Sequence, residues 1–245
     1  MSKKQTMSLE KYYDTNDNIE IGIDEVGRGP LFGRVYSASV VLPKKDNFKY
    51  EIIKDSKKFS SKKKMKEVYD YLVENLDYYY VSYIDEKTID SINILNASHR
   101  AMHKAITGLF EKKNILDISN CLLMVDGNNF KPYCKYIDSQ IQQIKHVTIE
   151  GGDNKYCNIA AASILAKVEH DKYIEDLCDE YPKLHDFYDL RNNKGYGTKK
   201  HIEGIKKYGI SPWHRKSFAT CKNVKINSVN VYSNTTSNEN ENEGD

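Results

Sequence analysis

Three times in this chain an apolar, β-branched run stops at an acid beside glycine. Ile19–Ile23 runs into Asp24-Glu25, Cys121–Val125 into Asp126-Gly127, and Ile144–Ile149 into Glu150-Gly-Gly-Asp153. Short runs of this kind read as buried strands. Neighbouring strands lie about 4.8 Å apart, so their ends can be gathered along one edge of a sheet. The chain is thereby constrained toward a sheet that collects acids at one end.

The first run sets the terms most closely. Ile19, Ile21 and Ile23 alternate with Glu20, Gly22 and Asp24, the period of a strand with one face in the core and Asp24 on the other. A regular strand sends Glu25 back to the first face. Both carboxylates therefore share one site only if the backbone bends there, which Gly27 and Gly29 permit. Adjacent carboxylates also repel unless a cation or hydrogen-bond donors offset them. Arg28, between the two glycines, offers a two-pronged partner for phosphate, with little bulk around it.

Arg34–Leu42 reads as a second strand, in a hairpin with the first. Lys54–Lys66 holds seven lysines and one acid, and it enters an amphipathic helix with Met65, Val68, Tyr69, Leu72, Val73 and Leu76 at helical spacing. Tyr78–Ile84 reads as a third strand and Ile92–Phe110 as one or two helices. The clearest helix is Asn158–Tyr181, with Ile164, Leu165, Val168, Ile174, Leu177 and Cys178 on one side, small Ala160–Ala162 for close packing and Pro182 as its stop. A further helix is expected from about Thr198 to Tyr208. Residues 1–18 read as a flexible lead-in, 19–222 as one folded unit, and 227–245 as a disordered acidic tail.

Charge distribution says more than net charge. The chain carries +2, but its last seven residues hold four acids and no base, which leaves +6 for the rest. Five cysteines, at 121, 134, 157, 178 and 221, form no C-x-x-C pair and read as reduced thiols of an intracellular protein. The N-terminus lacks the apolar stretch of a signal peptide, and no run approaches about 18 apolar residues. Neither export by that route nor a membrane span is expected, and the cytoplasm is the default location.

Two-metal phosphoryl transfer needs several hard oxygen ligands around two Mg²⁺ or Mn²⁺ ions about 4 Å apart. Asp24, Glu25, Asp126 and Asp153 supply that donor type. Taken singly, Asp126 is also an ordinary turn acid, and Asp153 is placed to cap the helix that follows. Their recurrence at successive strand ends favours the joint reading.

The blocks IGIDEVGRGPLFG, DSKKFS at 55–60, MVDG at 124–127, GD at 152–153 followed by IAAASILAKV, and KGYGT at 194–198 resemble, in order and approximate spacing, the type 2 ribonuclease H family. The likeness runs from about residue 19 to 218. It implies an α/β, RNase H-like fold: a mixed five-stranded sheet flanked by helices, with a C-terminal helical extension. It further implies an endoribonuclease that cuts the RNA strand of RNA–DNA hybrids and nicks duplex DNA 5′ of embedded ribonucleotides, acting as a monomer with two divalent ions. By position, Asp24, Glu25, Asp126 and Asp153 match the family's metal-binding carboxylates. Gly27, Arg28 and Gly29 match its turn against the 2′-hydroxyl and phosphate, and Tyr196 matches the tyrosine packed on the neighbouring deoxyribose. Lys57, Lys58 and Lys167 lie inside matching blocks and are candidates for backbone phosphate contacts; Lys194, Lys199 and Lys200 are further candidates outside the strongest ones.

Phe32 and Arg34 depart from the family pattern, which carries a small residue and proline there, so a bulkier and more basic turn is expected. His99 and His103 stand four apart on an expected helix but have no third zinc ligand nearby. Trp213 and His214 are expected to pack the C-terminal segment. Two other functions keep the same residues: a two-metal nuclease indifferent to ribose, and a catalytically silent hybrid-binding module.

Overall fold

The computed structural model describes residues 8–14, 18–113, 120–137 and 139–227. The rest of the expected lead-in, and the acidic tail beyond 227, lie outside the described residues.

Five strands, β1 (Ile19–Val26), β2 (Val35–Val41), β3 (Tyr78–Ile84), β4 (Cys121–Asp126) and β7 (Lys145–Ile149), form one sheet in the order β3-β2-β1-β4-β7. β1 pairs antiparallel with β2, and β2 with β3; β1 pairs parallel with β4, and β4 with β7. The sheet is mixed, as expected. Its parallel half turns the C-terminal ends of β1, β4 and β7 to one edge. A small hairpin, β5 (Cys134–Ile137) with β6 (Gln140–Gln143), was not expected. Its second strand is exposed throughout, with Ile141 alone among glutamines, so it lacks the alternation that marks a half-buried strand.

β1 is covered on both faces. Ile21 and Ile23 pack with Met102, Ile106 and Leu109 of α3 (Ile94–Lys113). On the opposite face lies α4 (Cys157–Glu180), and a Cβ at Gly22 would stand 2.3 Å from the carbonyl carbon of Asn158. The helix can approach because position 22 has no side chain. The first ten residues of α4, Cys157–Ala166, are all buried, whereas a one-sided helix was expected. There the helix is enclosed between the sheet and α1 (Lys62–Asn75), with Ala160, Ala161 and Ala162 keeping the separation short. On α1, Met65, Val68 and Leu72 are buried as expected, but Val73 is exposed. The range 92–110, expected as one or two helices, is covered by α3 alone; a short helix that was not expected, α2 (Glu86–Ile92), precedes it, with the break at Asn93, φ 66°.

Of the expected lead-in, the described residues 8–14 are docked. Glu10 pairs with Tyr156, donating its N–H to Lys155 O at 2.8 Å and accepting the Cys157 N–H at 2.9 Å. It thereby satisfies one of the orphan donors at the start of α4. At the other end of that helix, α5 (Lys183–Tyr188), α6 (Leu190–Asn193) and α7 (Lys199–Tyr208) build the helical extension, and Thr198 caps α7 through the His201 N–H. Leu31 and Phe32 pack among Leu184, Tyr188, Leu190 and Ile205. The extension therefore backs the turn that follows β1. Among the described residues no helix is long and apolar enough to cross a membrane.

Candidate active site

Asp24 and Glu25 lie near the end of β1, Asp126 ends β4, and Asp153 sits in the single 3-10 turn Gly152–Asn154 between β7 and α4. Ile23 stands opposite Val125, and Asp126 opposite Ile149, so the acid-bearing strands finish at one level. Crevices beyond the carboxyl ends of parallel strands are where ligands of open α/β sheets bind. The bend between Asp24 and Glu25 that the sequence suggested is absent: pairing with β2 continues through Val26, and the chain turns at Gly27, φ +95°. A Cβ at Gly27 would stand 2.9 Å from Arg34 O and 3.0 Å from the His170 ring. No bend is needed because, at the end of a sheet, side chains from both faces reach the same edge.

Each carboxylate has few partners. Asp24 Oδ1 accepts the Glu25 N–H at 2.7 Å, and the Asp24 side chain also bonds Ser163 of α4. Asp126 Oδ1 accepts the Gly152 N–H at 2.7 Å. Asp153 Oδ1 accepts from Asn154 at 3.0 Å, and its Oδ2 faces Lys57 Nζ at 3.4 Å. Glu25 Oε1 accepts from Arg28 Nη1 at 3.2 Å, while Glu25 Oε2 is buried without a hydrogen bond.

Electrostatics follow from that poverty. Burial, then the charges of Glu25 and Asp126, push the Asp24 carboxyl well above the usual range. Burial lifts Glu25 to about 7 against the pull of Arg28. Burial and the Asp153 charge raise Asp126. A hard divalent cation takes oxygen ligands, and its charge would offset this repulsion, so the donor set and the orphaned Glu25 oxygen fit such an ion. Among the described residues no three acid, histidine or cysteine side chains close into a cage by themselves. The partnered oxygens are aimed at backbone N–H groups and at Ser163, Asn154, Arg28 and Lys57.

Beside the acids stands the turn. Arg28 and Gly29 are exposed, and a Cβ at Gly29 would touch the Tyr196 ring at 3.2 Å, so the ring rests over that glycine. The sequence had placed these residues 167 positions apart in one function, and the fold brings them into contact. Lys57 and Lys58 share the 3-10 turn Ser56–Lys58. Lys167 pairs with Asp171 at 2.8 Å and, with Ser56, Lys62 and Tyr196, lines a cleft of about 340 Å³. Lys194 is not available as a surface cation: it is 5% exposed, its ammonium 2.5 Å from Glu175. Lys199 and Lys200 are exposed on α7, beside Glu203 and Asp189.

Phe32 and Arg34 do not make the turn bulkier or more basic. Phe32 is fully buried against His214, and the Arg34 guanidinium lies 4.0 Å from the Tyr83 ring and 4.1 Å from that of Tyr173. His99 and His103 donate from Nε2 to the carbonyls of Asn129 and Lys131, tying down the loop after Asp126.

One residue was missed. Arg215 is fully buried, and its guanidinium donates to four carbonyls of the turn: Gly27 at 2.6 Å, Gly33 at 2.8 Å, Arg28 at 3.1 Å and Arg34 at 3.1 Å. Only its place beside Trp213 and His214 hinted at burial, and nothing in the spacing connected it to residue 27.

The family model described as Ribonuclease HII matches residues 21–221. A Ribonuclease HII of Phocaeicola vulgatus is 42% identical over 208 residues, covering 84% of this chain and 92% of that protein. Among solved structures, the ribonuclease H2 from Pyrococcus horikoshii OT3 aligns with TM-score 0.61 and 27% identity, over 82% of this chain and 94% of that one. Bst-RNase HIII in complex with Mn²⁺ shares the fold at TM-score 0.62 and 18% identity, over 89% of this chain and 70% of that one.

Proposed function

The chain belongs to the ribonuclease HII family, and from that premise we propose that Asp24, Glu25, Asp126 and Asp153 are its catalytic acids and that Gly27–Gly29 with Tyr196 read the sugar. It is a metal-dependent endoribonuclease acting on the RNA of RNA–DNA hybrids. The finer reading is that it also nicks duplex DNA on the 5′ side of a single embedded ribonucleotide, leaving 3′-hydroxyl and 5′-phosphate ends. The observation that carries it is the Glu25–Arg28 contact at 3.2 Å, which joins the acid cluster to the turn.

Bound among the four carboxylates, two Mg²⁺ or Mn²⁺ ions supply an activated water and offset charge on the leaving 3′ oxygen. The chain does the rest. Arg28, half exposed, presents a planar fork to the phosphate. Gly29, lacking a side chain, lets the ribose and its 2′-hydroxyl come up to the backbone, and that hydroxyl is what separates RNA from DNA. The Tyr196 ring over Gly29 packs on the next deoxyribose and disfavours a second 2′-hydroxyl there. Lys57, Lys58 and Lys167 meet neighbouring phosphates, so affinity falls as salt rises.

The test compares cleavage of two duplexes identical except for one ribonucleotide, with Mg²⁺ or Mn²⁺. Nicking confined to the ribonucleotide-bearing duplex is expected. Cutting of all-DNA duplex at a similar rate sinks the sugar-reading role, and absence of cutting in both sinks the finer substrate reading.

A further inference from the structure

Behind the Tyr196 loop two histidines meet edge to edge, neither of them exposed: His201 on α7 and His214 in the segment that follows. Their Nε2 atoms are 3.0 Å apart. His214 Nδ1 lies 3.0 Å from the Ser211 backbone nitrogen and 2.8 Å from the Ser211 hydroxyl. A backbone N–H only donates, so His214 Nδ1 carries no proton. Burial holds both rings below the usual histidine range, and His201 lowers His214 further, so both are neutral near pH ~7. A neutral His214 then has its proton on Nε2 and donates it to His201. His201, accepting at Nε2, keeps its own proton on Nδ1, which donates to the Tyr196 carbonyl at 2.9 Å.

The direction of each bond is dictated by the one before it. Reversing any of them sets two protons, or two lone pairs, against each other in a site without water contact. The pair is also tied to the other side of the sugar-reading site. Phe32, in the turn that begins at Gly27, bridges to His214 and lays its ring edge-on at 5.1 Å. Tyr188 packs on both imidazoles, its hydroxyl taken by Gly209 O. Apolar packing alone would fill this volume without fixing a proton on any nitrogen.

Resting on the reading of Tyr196 as the residue against the deoxyribose, we infer that His201 and His214 are positioning residues for ribonucleotide selection. Their one-way chain of hydrogen bonds, from Ser211 through both rings to the Tyr196 carbonyl, holds that ring over Gly29. Neither histidine touches substrate.

Two measurements on the full chain test this. Nitrogen chemical shifts of ¹⁵N-histidine-labelled protein at neutral pH should show His201 protonated on Nδ1 and His214 on Nε2; the opposite tautomer in either ring, or an imidazolium, overturns the relay. The second compares His201→Asn, whose amide nitrogen can stand where Nδ1 stands, with His201→Gln, which reaches His214 but abandons the Tyr196 carbonyl. The ratio of single-ribonucleotide nicking to cleavage of a continuous hybrid should fall about tenfold in His201→Gln and clearly less in His201→Asn, which loses the link to His214 but keeps the one to Tyr196, at similar unfolding midpoints. Equal ratios in the two variants overturn the inference. Tyr196→Ala, run alongside, separates the failures. A wild-type ratio there removes the reading of Tyr196, and the selection role with it, while the shifts still decide the relay. A lowered ratio there with an unchanged one in His201→Gln removes the inference alone.

Discussion

The two halves of the site, which meet between Glu25 and Gly27, are built on opposite electrostatic plans. Around Asp24, Glu25, Asp126 and Asp153, like charges are pressed together in partial burial, Glu25 is lifted to about 7, and one of its oxygens has no partner. From Gly27 to Arg34, by contrast, four carbonyls are satisfied by one buried guanidinium, and Tyr196 is held from behind by a chain of imidazoles. The unbalanced half gains from any added cation, which suits it to metal-assisted chemistry. The balanced half gains nothing by moving, which suits it to telling one sugar from another.

The largest expected effect breaks the comparison on its acidic side. Asp126→Asn should slow nicking of a single-ribonucleotide duplex by at least about a thousandfold. Yet the same change should raise stability in metal-free buffer by about 1 kcal/mol, because the amide still accepts the Gly152 N–H while a half-buried like charge is removed. Single-turnover rates and urea unfolding read the two separately. A variant that is inactive and less stable would mean that the acids are not in mutual repulsion.

Arg215→Leu probes the balanced half, with the opposite sign. Four carbonyls lose their donor at once, and a loss of about 3 kcal/mol or more is expected on urea unfolding. Arg215→Lys should recover only part of it, since an ammonium lacks the planar fork. A neutral outcome for both substitutions would show that the turn holds its shape without the guanidinium.

The smallest effect is a slope. Asp24, Glu25 and Asp126 have folded values raised above their unfolded ones. The stability they contribute is therefore full below the unfolded values and is lost as pH rises through the folded ones. For Glu25 that window runs from 4.5 to about 7. In chelator, the unfolding midpoint should fall by a few degrees between about pH 5 and about pH 8, and fall less in Asp126→Asn. A midpoint that climbs across that range contradicts the shifts.

What could be read beforehand divides along the same line. The strands of the main sheet, the long helix before Pro182 and the strand-end acids are written locally, in alternation, in Ala160–Ala162 and in acid–glycine pairs. The expected bend at Asp24–Glu25 failed because strand alternation was applied to the tip of a sheet, where both faces open onto one crevice. Lys194 was misjudged since a lysine in a glycine-rich loop looks exposed until Glu175 of α4 is folded against it. Phe32 and Arg34, departures from the family's pattern, are absorbed inward by His214, Tyr83 and Tyr173, partners distant in sequence. Arg215 was invisible for the same reason: four contacts across more than 180 residues leave no periodic trace.

Separation of the two tasks is measured most directly by binding, without cleavage. In the Asp126→Asn background, the affinity for a duplex carrying one ribonucleotide should exceed that for the all-DNA duplex, and adding Gly29→Ala, which sets a methyl where the 2′-hydroxyl approaches, should erase the difference. Equal affinity of Asp126→Asn for both duplexes, or a preference that survives Gly29→Ala, would contradict the division of the site into acids that act and a turn that selects.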